Sequence, residues 1–168
     1  LGAQSLNEAI AEQIDAFKQS DAQIIWQAGK LYVERFRPLV EDAPNIQIMA
    51  FVDRMDLAYA AADVVICRAG ASTISELCLA GKPSILVPSP NVAEDHQTKN
   101  AMALVKVDAA QMVKDASAKA ELVPQALELL ADTKKQDALK KAILNLGKPN
   151  AASDIADIVI ALAKKTNQ

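Results

Sequence analysis

The stretch DVVICRAGASTISELCLAGKPSILV, residues 63–87, decides the fold. Its first part, residues 63–67, is an apolar run of the kind that is buried on both faces of a parallel sheet. A helical pattern over residues 72–79 ends at Gly81, just before a proline, which is a common stop signal. Residues 84–87 form a second apolar run. The stretch therefore predicts a strand, a helix and a second strand parallel to the first.

The alternation of strand and helix extends towards both ends of the chain. Further strands are predicted at residues 23–26 and 46–52. Further helices are predicted over residues 1–19, 31–40, 53–61 and 96–104. Repeated units of this kind predict an α/β fold, a doubly wound parallel sheet with helices on both faces.

Three apolar stripes at helical spacing follow from Glu121 onward, where no further strand is predicted. Their members are Leu122, Ala126, Leu129 and Leu130, then Leu139, Ala142, Ile143 and Leu146, then Ile155, Ile158, Val159 and Leu162. We expect three helices that close against the sheet. Because no linker or repeat is present, residues 1–168 are predicted to form one domain.

The composition narrows the possible functions. Half of the residues (51%) are hydrophobic, and 18 basic against 21 acidic side chains leave a net charge of −3, so we expect a globular protein that does not bind nucleic acid. The longest nearly apolar stretches, residues 57–67 and 155–163, are shorter than the roughly 20 residues of a spanning helix. Without cysteine pairs at zinc spacing or an Asp-x-Asp pair, no metal or other cofactor is expected.

Ligands of doubly wound sheets bind beyond the carboxyl ends of the strands, which places the candidate site in the loops after Val52, Cys67 and Val87. The loop after Cys67, residues 68–76, contains Gly70 and several other small residues that let backbone amides approach a ligand. The helix that begins in this loop directs free N–H groups and its positive dipole end the same way. An anion such as a diphosphate would be stabilised there.

Two interpretations of Thr73 and Glu76 remain open at this point. They share one face of the helix, and the Glu76 carboxylate could accept hydrogen bonds from both hydroxyls of a ribose. They also match a capping box, in which the glutamate only satisfies the backbone N–H of the cap residue. Similarly, Arg68 could be a surface cation, and Gly70 could be needed only for the turn.

The loop after Val87 is long and polar and contains Asp95, His96 and Gln97. It could recognise sugar hydroxyls. Alternatively, Asp95 caps the next helix and His96 is structural. No Ser/His/Asp or Cys/His signature is present, so no catalytic residue is predicted.

Several ordered motifs together resemble one known family. They are Phe51, Met55, Tyr59, Ala62 and Asp63, then Arg68-x-Gly70-Ala71-x-Thr73-x-x-Glu76, then Gly81-Lys82-Pro83, and finally Asp95-His96-Gln97-x-x-Asn100-Ala101. With these motifs nearly the whole chain resembles the C-terminal domain of the MurG-type glycosyltransferases, glycosyltransferase family 28. The resemblance implies a Rossmann-like domain of a GT-B enzyme.

The family transfers N-acetylglucosamine, with inversion and without a metal, from UDP-N-acetylglucosamine to lipid I, forming lipid II of peptidoglycan synthesis. The resemblance implies that this chain is the UDP-N-acetylglucosamine-binding half. The lipid I site, the general base and the membrane-facing patch belong to an N-terminal domain that residues 1–168 lack. We therefore expect a soluble fragment with little or no turnover, from an enzyme that is peripheral on the cytoplasmic membrane face.

The resemblance also assigns roles to residues. Glu76 is the expected ribose ligand, which favours donor binding over capping, and the backbone around Ala71, Ser72 and Thr73 contacts the donor. Arg68 and Gln97 are expected donor contacts, Gln97 to the N-acetylglucosamine.

Four further residues complete the expected donor site. The Val52 backbone is expected to hold the uracil, and Gly70 and His96 are included in the site. Asn7 is also expected to contact the donor, because residues 1–7 resemble the end of a glycine-rich segment that approaches the diphosphate.

Two other functions are kept as alternatives. One is a standalone donor subunit that works with a separate membrane partner, like the small subunit of the eukaryotic transferase of dolichol-linked glycan assembly; the shortened glycine-rich start argues against it. The other is a non-catalytic regulatory module that binds UDP regardless of the attached sugar.

Overall fold

The structure, a computed structural model, describes residues 3–166, with the backbone alone at 165 and 166. Five short parallel strands form its centre: β1 (Ile24–Gln27), β2 (Ile46–Met49), β3 (Val65–Cys67), β4 (Ser84–Leu86) and β5 (Gln111–Met112). Their hydrogen bonds form three ladders, β1-β2, β3-β4 and β4-β5. The expected parallel pairing is confirmed, but the ladders make a two-stranded and a three-stranded sheet rather than one.

Helices separate the strands as the alternation predicts. They are α1 (Gln4–Glu12), α2 (Ile14–Lys18), α3 (Val33–Phe36), α4 (Met55–Ala61), α5 (Ala71–Ala80), α6 (His96–Val105), α7 (Ala118–Ala131), α8 (Thr133–Leu144) and α9 (Ala151–Thr166). Short 3₁₀ segments lie at Arg37–Leu39, Ala93–Asp95 and Asp115–Ser117.

Helices cover both faces of the strands, as the side chains of β4 show. Ile85 is buried in a cluster with side chains of α1 and α7, whereas its neighbour Leu86 is buried with side chains of α5 and α6. Successive side chains of a strand point to opposite faces. The first cluster also contains Trp26 of β1 and Ile46 of β2, so both sheets share one core. The doubly wound α/β class is confirmed.

Within residues 63–87, the predicted helix, its end at Gly81 and the strand that follows are also confirmed. The residue after α5, Gly81, is left-handed, with φ 62° and ψ 42°. A β-carbon at this position would lie 2.8 Å from Cγ of Leu144 in α8. Glycine is therefore required both by the backbone and by the close approach of α8.

The other predicted boundaries differ in places. The single helix expected over residues 1–19 is interrupted at Gln13 (φ −117°, ψ 25°), and residues 1 and 2 lie outside the described part. The helix expected over residues 31–40 is α3 followed by a 3₁₀ turn that contains Pro38, which lacks the N–H that an α-helix needs. β5 was not predicted, because two residues are too few to show a period.

The third apolar stripe does not close against the sheet, and that prediction is wrong. Leu122 of α7 and Ile143 of α8 are fully buried, as expected, but Ile155 and Ile158 of α9 are 61% and 60% exposed. Helical spacing shows which face of a helix is apolar, not what that face contacts. None of the described helices is both long and apolar enough to span a membrane.

Asn7 is a buried polar residue that joins α1 to the end of β1. Its Nδ2 donates to the carbonyl of Ala28 at 2.8 Å, and its Oδ1 accepts from Nε1 of Trp26 at 2.9 Å. A buried amide satisfied on both sides orients the two elements that it connects.

The exposure of α9 predicts a contrast between two substitutions. Ile158→Gln should change the free energy of unfolding by no more than about 0.5 kcal/mol, because the side chain is exposed. Leu122→Ala should lower it by about 2–5 kcal/mol, because it opens a cavity in the core. Urea denaturation measures both values. A loss above about 1 kcal/mol in the Ile158 variant would show that α9 packs within this chain.

Asn7→Ala should lower the free energy of unfolding by about 2 kcal/mol or more, because it leaves the Trp26 N–H and the Ala28 carbonyl without partners. Asn91→Ala is the matched control, since the Asn91 side chain is exposed. Urea denaturation followed by tryptophan fluorescence reports the difference. Equal stability of the two variants would contradict a structural role for Asn7.

Candidate functional site

The carboxyl ends of both sheets meet near the start of α1. Asn7 contacts Ala28 directly after β1, and the Ser5 hydroxyl accepts a hydrogen bond from Nη2 of Arg68, directly after β3, at 2.6 Å. Ser5 and Asn7 belong to the same turns of one helix. The loops that were predicted to form the site therefore lie along one edge of the molecule.

The amino end of α5 faces this edge without a side-chain cap. Gly70 is the cap residue, and among the described residues no side-chain hydrogen bond caps the helix. The first intrahelical bond runs from the N–H of Ile74 to the carbonyl of Gly70 at 3.0 Å, so the N–H groups of residues 71–73 precede it. These three amides and the helix dipole form a site suited to an anion.

Gly70 is not required by the backbone. Its φ of −69° and ψ of 148° are open to any residue, so the alternative that the turn needs glycine is wrong. A β-carbon there would meet only Oγ1 of Thr73, at an ordinary 3.8 Å. The absence of a side chain instead leaves space in front of the α5 amides.

Glu76 lies on the exposed side of α5 and is held by Tyr59 of α4. The Tyr59 hydroxyl donates to Oε2 of Glu76 at 3.0 Å. The capping-box alternative is wrong, because the helix begins at Ala71 and neither Thr73 nor Glu76 caps it. The Glu76 carboxylate is therefore fixed one turn into the helix and free of its own main chain.

The charge of Glu76 affects two neighbouring acids. Burial and the hydrogen bond to Glu76 raise the pKa of Tyr59, so Tyr59 remains a neutral donor. Burial, with the Glu76 charge as a smaller cause, raises the pKa of the Cys67 thiol to about 12. Cys67 is thus protonated at neutral pH and unsuited to act as a nucleophile.

Gln97 and Asn100 of α6 hold the two loops beside α5. Oε1 of Gln97 accepts from the N–H of Ser89 at 2.9 Å, which turns the amide nitrogen of Gln97 to the other side. Nδ2 of Asn100 donates to the carbonyl of Ala69 at 3.1 Å. The start of α6 therefore fixes both the loop after β3 and the loop after β4.

His96 and Asp95 occupy the turn that enters α6. Nδ1 of His96 donates to the carbonyl of Ala93 at 2.9 Å, and the ring is exposed. Asp95 stands at the cap position of α6, but its side chain makes no capping bond among the described residues, so that alternative is wrong. Glu94 and Asp95 both have left-handed backbones, with φ of 53° and 50°, which is costly for residues other than glycine.

Arg68 is a largely buried bridge rather than a surface cation, so that alternative is wrong. Its Nη1 donates to the carbonyls of Val87 and Pro88 at 3.1 and 3.3 Å and to Oδ1 of Asp115 at 2.5 Å. Nη2 donates to Ser5. Arg68 therefore joins the ends of β3, β4 and β5 to α1.

The loop after β2 presents Val52 next to the exposed ring of Phe51. The N–H of Val52 donates to Oε1 of Gln27, at the end of β1, at 2.8 Å. The backbone position that was expected to hold uracil is therefore occupied by an amide side chain.

The structure thus gathers most of the predicted site residues at one edge and places Asn7 behind them, in the core. The contact of each of these residues with a donor stays a prediction. The hydrogen bonds made by Gln27, Asp115 and Ser5 could not be predicted from the sequence, and neither could the contact of Tyr59 with Glu76. No local motif shows them, since Tyr59 is 17 residues from its partner and Ser5 is 110 residues from Asp115.

Comparison with known proteins identifies the family. A family model described as Glycosyltransferase family 28 C-terminal domain matches residues 1–158. A protein of Flavobacterium psychrophilum is 50% identical over 164 residues, which cover 98% of this chain and 44% of the relative. A protein of Parabacteroides distasonis is 47% identical over 167 residues, covering 98% of this chain and 45% of the relative. Both are named UDP-N-acetylglucosamine--N-acetylmuramyl-(pentapeptide) pyrophosphoryl-undecaprenol N-acetylglucosamine transferase.

Solved structures agree with the sequence relatives. The crystal structure of Acinetobacter baumannii MurG superposes with a TM-score of 0.83 at 34% identity, covering 96% of this chain and 49% of that one. The glycosyltransferase VinC, solved with dTDP, superposes with a TM-score of 0.72 at 18% identity, covers 98% of this chain and 40% of that one, and supports the fold alone. The chain spans about half the length of the relatives it matches. By the match of residues 1–158, it belongs to the glycosyltransferase family 28 C-terminal domain family.

Proposed function

We propose that this chain is the donor-binding half of an inverting glycosyltransferase. The enzyme moves N-acetylglucosamine from UDP-N-acetylglucosamine to the C4 hydroxyl of the N-acetylmuramoyl unit of lipid I, forming lipid II. The names of the relatives support the substrates. The observation that carries the proposal is the position of Glu76, held by Tyr59 beside the uncapped amino end of α5.

The donor binds across the carboxyl edge of the strands. Its diphosphate faces the amides of Ala71, Ser72 and Thr73 in front of Gly70, and the ribose hydroxyls donate to Glu76. Backbone amides that attract an anion and a carboxylate that accepts hydrogen bonds from hydroxyls thus lie one helical turn apart. They match a nucleotide whose diphosphate and diol are adjacent.

The sugar lies against the loop after β4. The Ser89 N–H holds Oε1 of Gln97 and leaves the Gln97 amide N–H groups to donate to the N-acetylglucosamine. His96, with Nδ1 bonded to Ala93, presents its Nε2 on the exposed side of the same turn. These groups supply hydrogen bonds that depend on the sugar, which a site for UDP alone would not need.

The uracil binds at the Val52 backbone and replaces Gln27 there. An amide side chain offers the same pairing of a carbonyl acceptor and an N–H donor as the edge of a uracil ring. Because Oε1 of Gln27 already accepts from the Val52 N–H, the base competes with this side chain for one donor.

The residues of this chain bind and orient the donor, and none of them takes a catalytic proton. The acceptor oxygen forms a bond to the anomeric carbon on the face opposite UDP, and the bond from that carbon to the diphosphate oxygen breaks with its electron pair on UDP. The acceptor proton goes to a base outside this half. The amino end of α5 stabilises the charge that develops on UDP, which supports transfer without a metal.

Residues 1–168 act as one donor domain of a GT-B enzyme. The lipid I site and the membrane contact belong to the remaining length of the relatives, and the whole enzyme is peripheral on the cytoplasmic membrane face. This half alone binds donor and turns over little or none.

Calorimetry with UDP, UDP-N-acetylglucosamine and UDP-glucose tests the proposal. We expect binding of UDP-N-acetylglucosamine to be tighter than binding of UDP-glucose, because the acetamido group meets the loop after β4. Equal affinity for all three ligands would indicate a UDP-binding module. Absence of binding to any of them would contradict a donor site.

Glu76→Ala should weaken UDP binding by about 2 kcal/mol or more, because charged hydrogen bonds to the ribose are lost. Tyr59→Phe should weaken it less, since the carboxylate stays but loses its support. Glu121→Ala, an exposed glutamate of α7, is the matched control. If Glu76→Ala lowers the melting temperature while calorimetry shows unchanged UDP affinity, Glu76 serves the fold and not the ligand.

Gln27→Ala should tighten UDP binding by about two- to tenfold, because the uracil no longer displaces a hydrogen-bonded side chain. Gln23→Ala, an exposed glutamine just before β1, should leave the affinity unchanged. Calorimetry with UDP compares both variants with the parent chain. Weaker binding by the Gln27 variant would mean that this side chain contacts the base directly.

A further inference from the structure

The Arg68–Asp115 pair differs from the other ion pairs of the described residues. The two side chains are only 18% and 17% exposed, whereas each of the other pairs has at least one side chain that is more than half exposed. A largely buried pair cannot lose one partner without leaving an uncompensated charge. The geometry around Arg68 is therefore held firmly.

The partners of Arg68 belong to separate parts of the chain. Val87 and Pro88, whose carbonyls accept from Arg68, lie at the start of the loop after β4. Asp115 is the first residue of the 3₁₀ segment after β5, and Ser5 lies in α1. Ser5 also donates to Oδ1 of Asp115 at 2.8 Å, so the three side chains form a closed triangle.

This triangle sets the path of the loop after β4. The N–H of Val87 donates to the carbonyl of Cys67 at 2.9 Å, which is the last hydrogen bond of this segment to β3. Arg68 then donates to the carbonyls of Val87 and Pro88. The following N–H, of Ser89, donates to Oε1 of Gln97. A continuous series of hydrogen bonds thus runs from Asp115 through Arg68 to Gln97.

The same contacts leave few N–H donors of Arg68 that could bind a diphosphate. Both terminal nitrogens of its guanidinium already donate to acceptors within the chain. Its charge is also neutralised at short range by Asp115. An anion at the amino end of α5 would meet a neutral pair rather than a free cation.

We propose that Asp115 is a positioning residue of the donor site, which acts through Arg68 to hold the loop after β4 where Gln97 meets the sugar. Arg68 then contributes by placing this loop and not by contacting the donor. The inference rests on the proposed donor site and names a residue of that site that lies outside its sequence motifs.

Asp115→Asn tests the role of the charge with little change of shape. We expect the affinity for UDP-N-acetylglucosamine to fall about tenfold, while the affinity for UDP falls less than about threefold, because the loop meets only the sugar. Asp42→Asn, in the exposed pair with Lys18, should change neither value. An equal loss for both ligands, or no loss for either, would overturn the proposal.

Hydrogen exchange of the ligand-free chain separates this inference from the proposed function. In Asp115→Asn the amides of Ser89 and Asn91 should exchange about tenfold faster, while the amide of Leu122 in α7 keeps its rate. Unchanged exchange at Ser89 would overturn the inference even where donor binding is normal. Ser5→Ala removes the two sides of the triangle that involve Ser5 but keeps the Arg68–Asp115 pair, so it should give a smaller effect of the same kind, which keeps the test decisive if Asp115→Asn unfolds.

Discussion

The uncapped amino end of α5 is the constraint on which the site depends. A helix can satisfy one of its first N–H groups with a side chain of the cap residue, but Gly70 has none to offer. The amides of residues 71–73 therefore face the carboxyl edge of the strands, where an anionic ligand can accept from them. Glu76, one turn further, cannot act as a cap and is held by Tyr59 instead.

The surroundings of α5 are built to keep this arrangement rigid. Asn100 fixes the carbonyl of Ala69 before the helix, and Gly81 ends the helix against Leu144. Arg68 ties three strand ends together on one side. Hydrogen bonds between elements thus position the loops, although the strands themselves are only two to four residues long.

The fold could be predicted largely because its signals are local. The apolar runs of β3 and β4 and the glycine that ends α5 are visible in 25 consecutive residues, 63–87. The exposure of α9 could not be predicted in this way, since an apolar stripe does not show what the helix packs against. β5 is too short to produce a pattern.

The candidate site was predictable only in part, because only some of its contacts are local in the sequence. Residues 68–76 lie together in the sequence, so their loop and helix could be recognised. The partners that hold them are distant in the sequence: Asp115 is 47 residues from Arg68, and Gln27 is 25 residues from Val52. Such contacts depend on the topology of the sheet and not on any motif. A crystal structure of the chain with UDP tests the central claim most directly: we expect the ribose hydroxyls on the Glu76 carboxylate and the diphosphate at the amides of residues 71–73, and a nucleotide bound away from the start of α5 would contradict it.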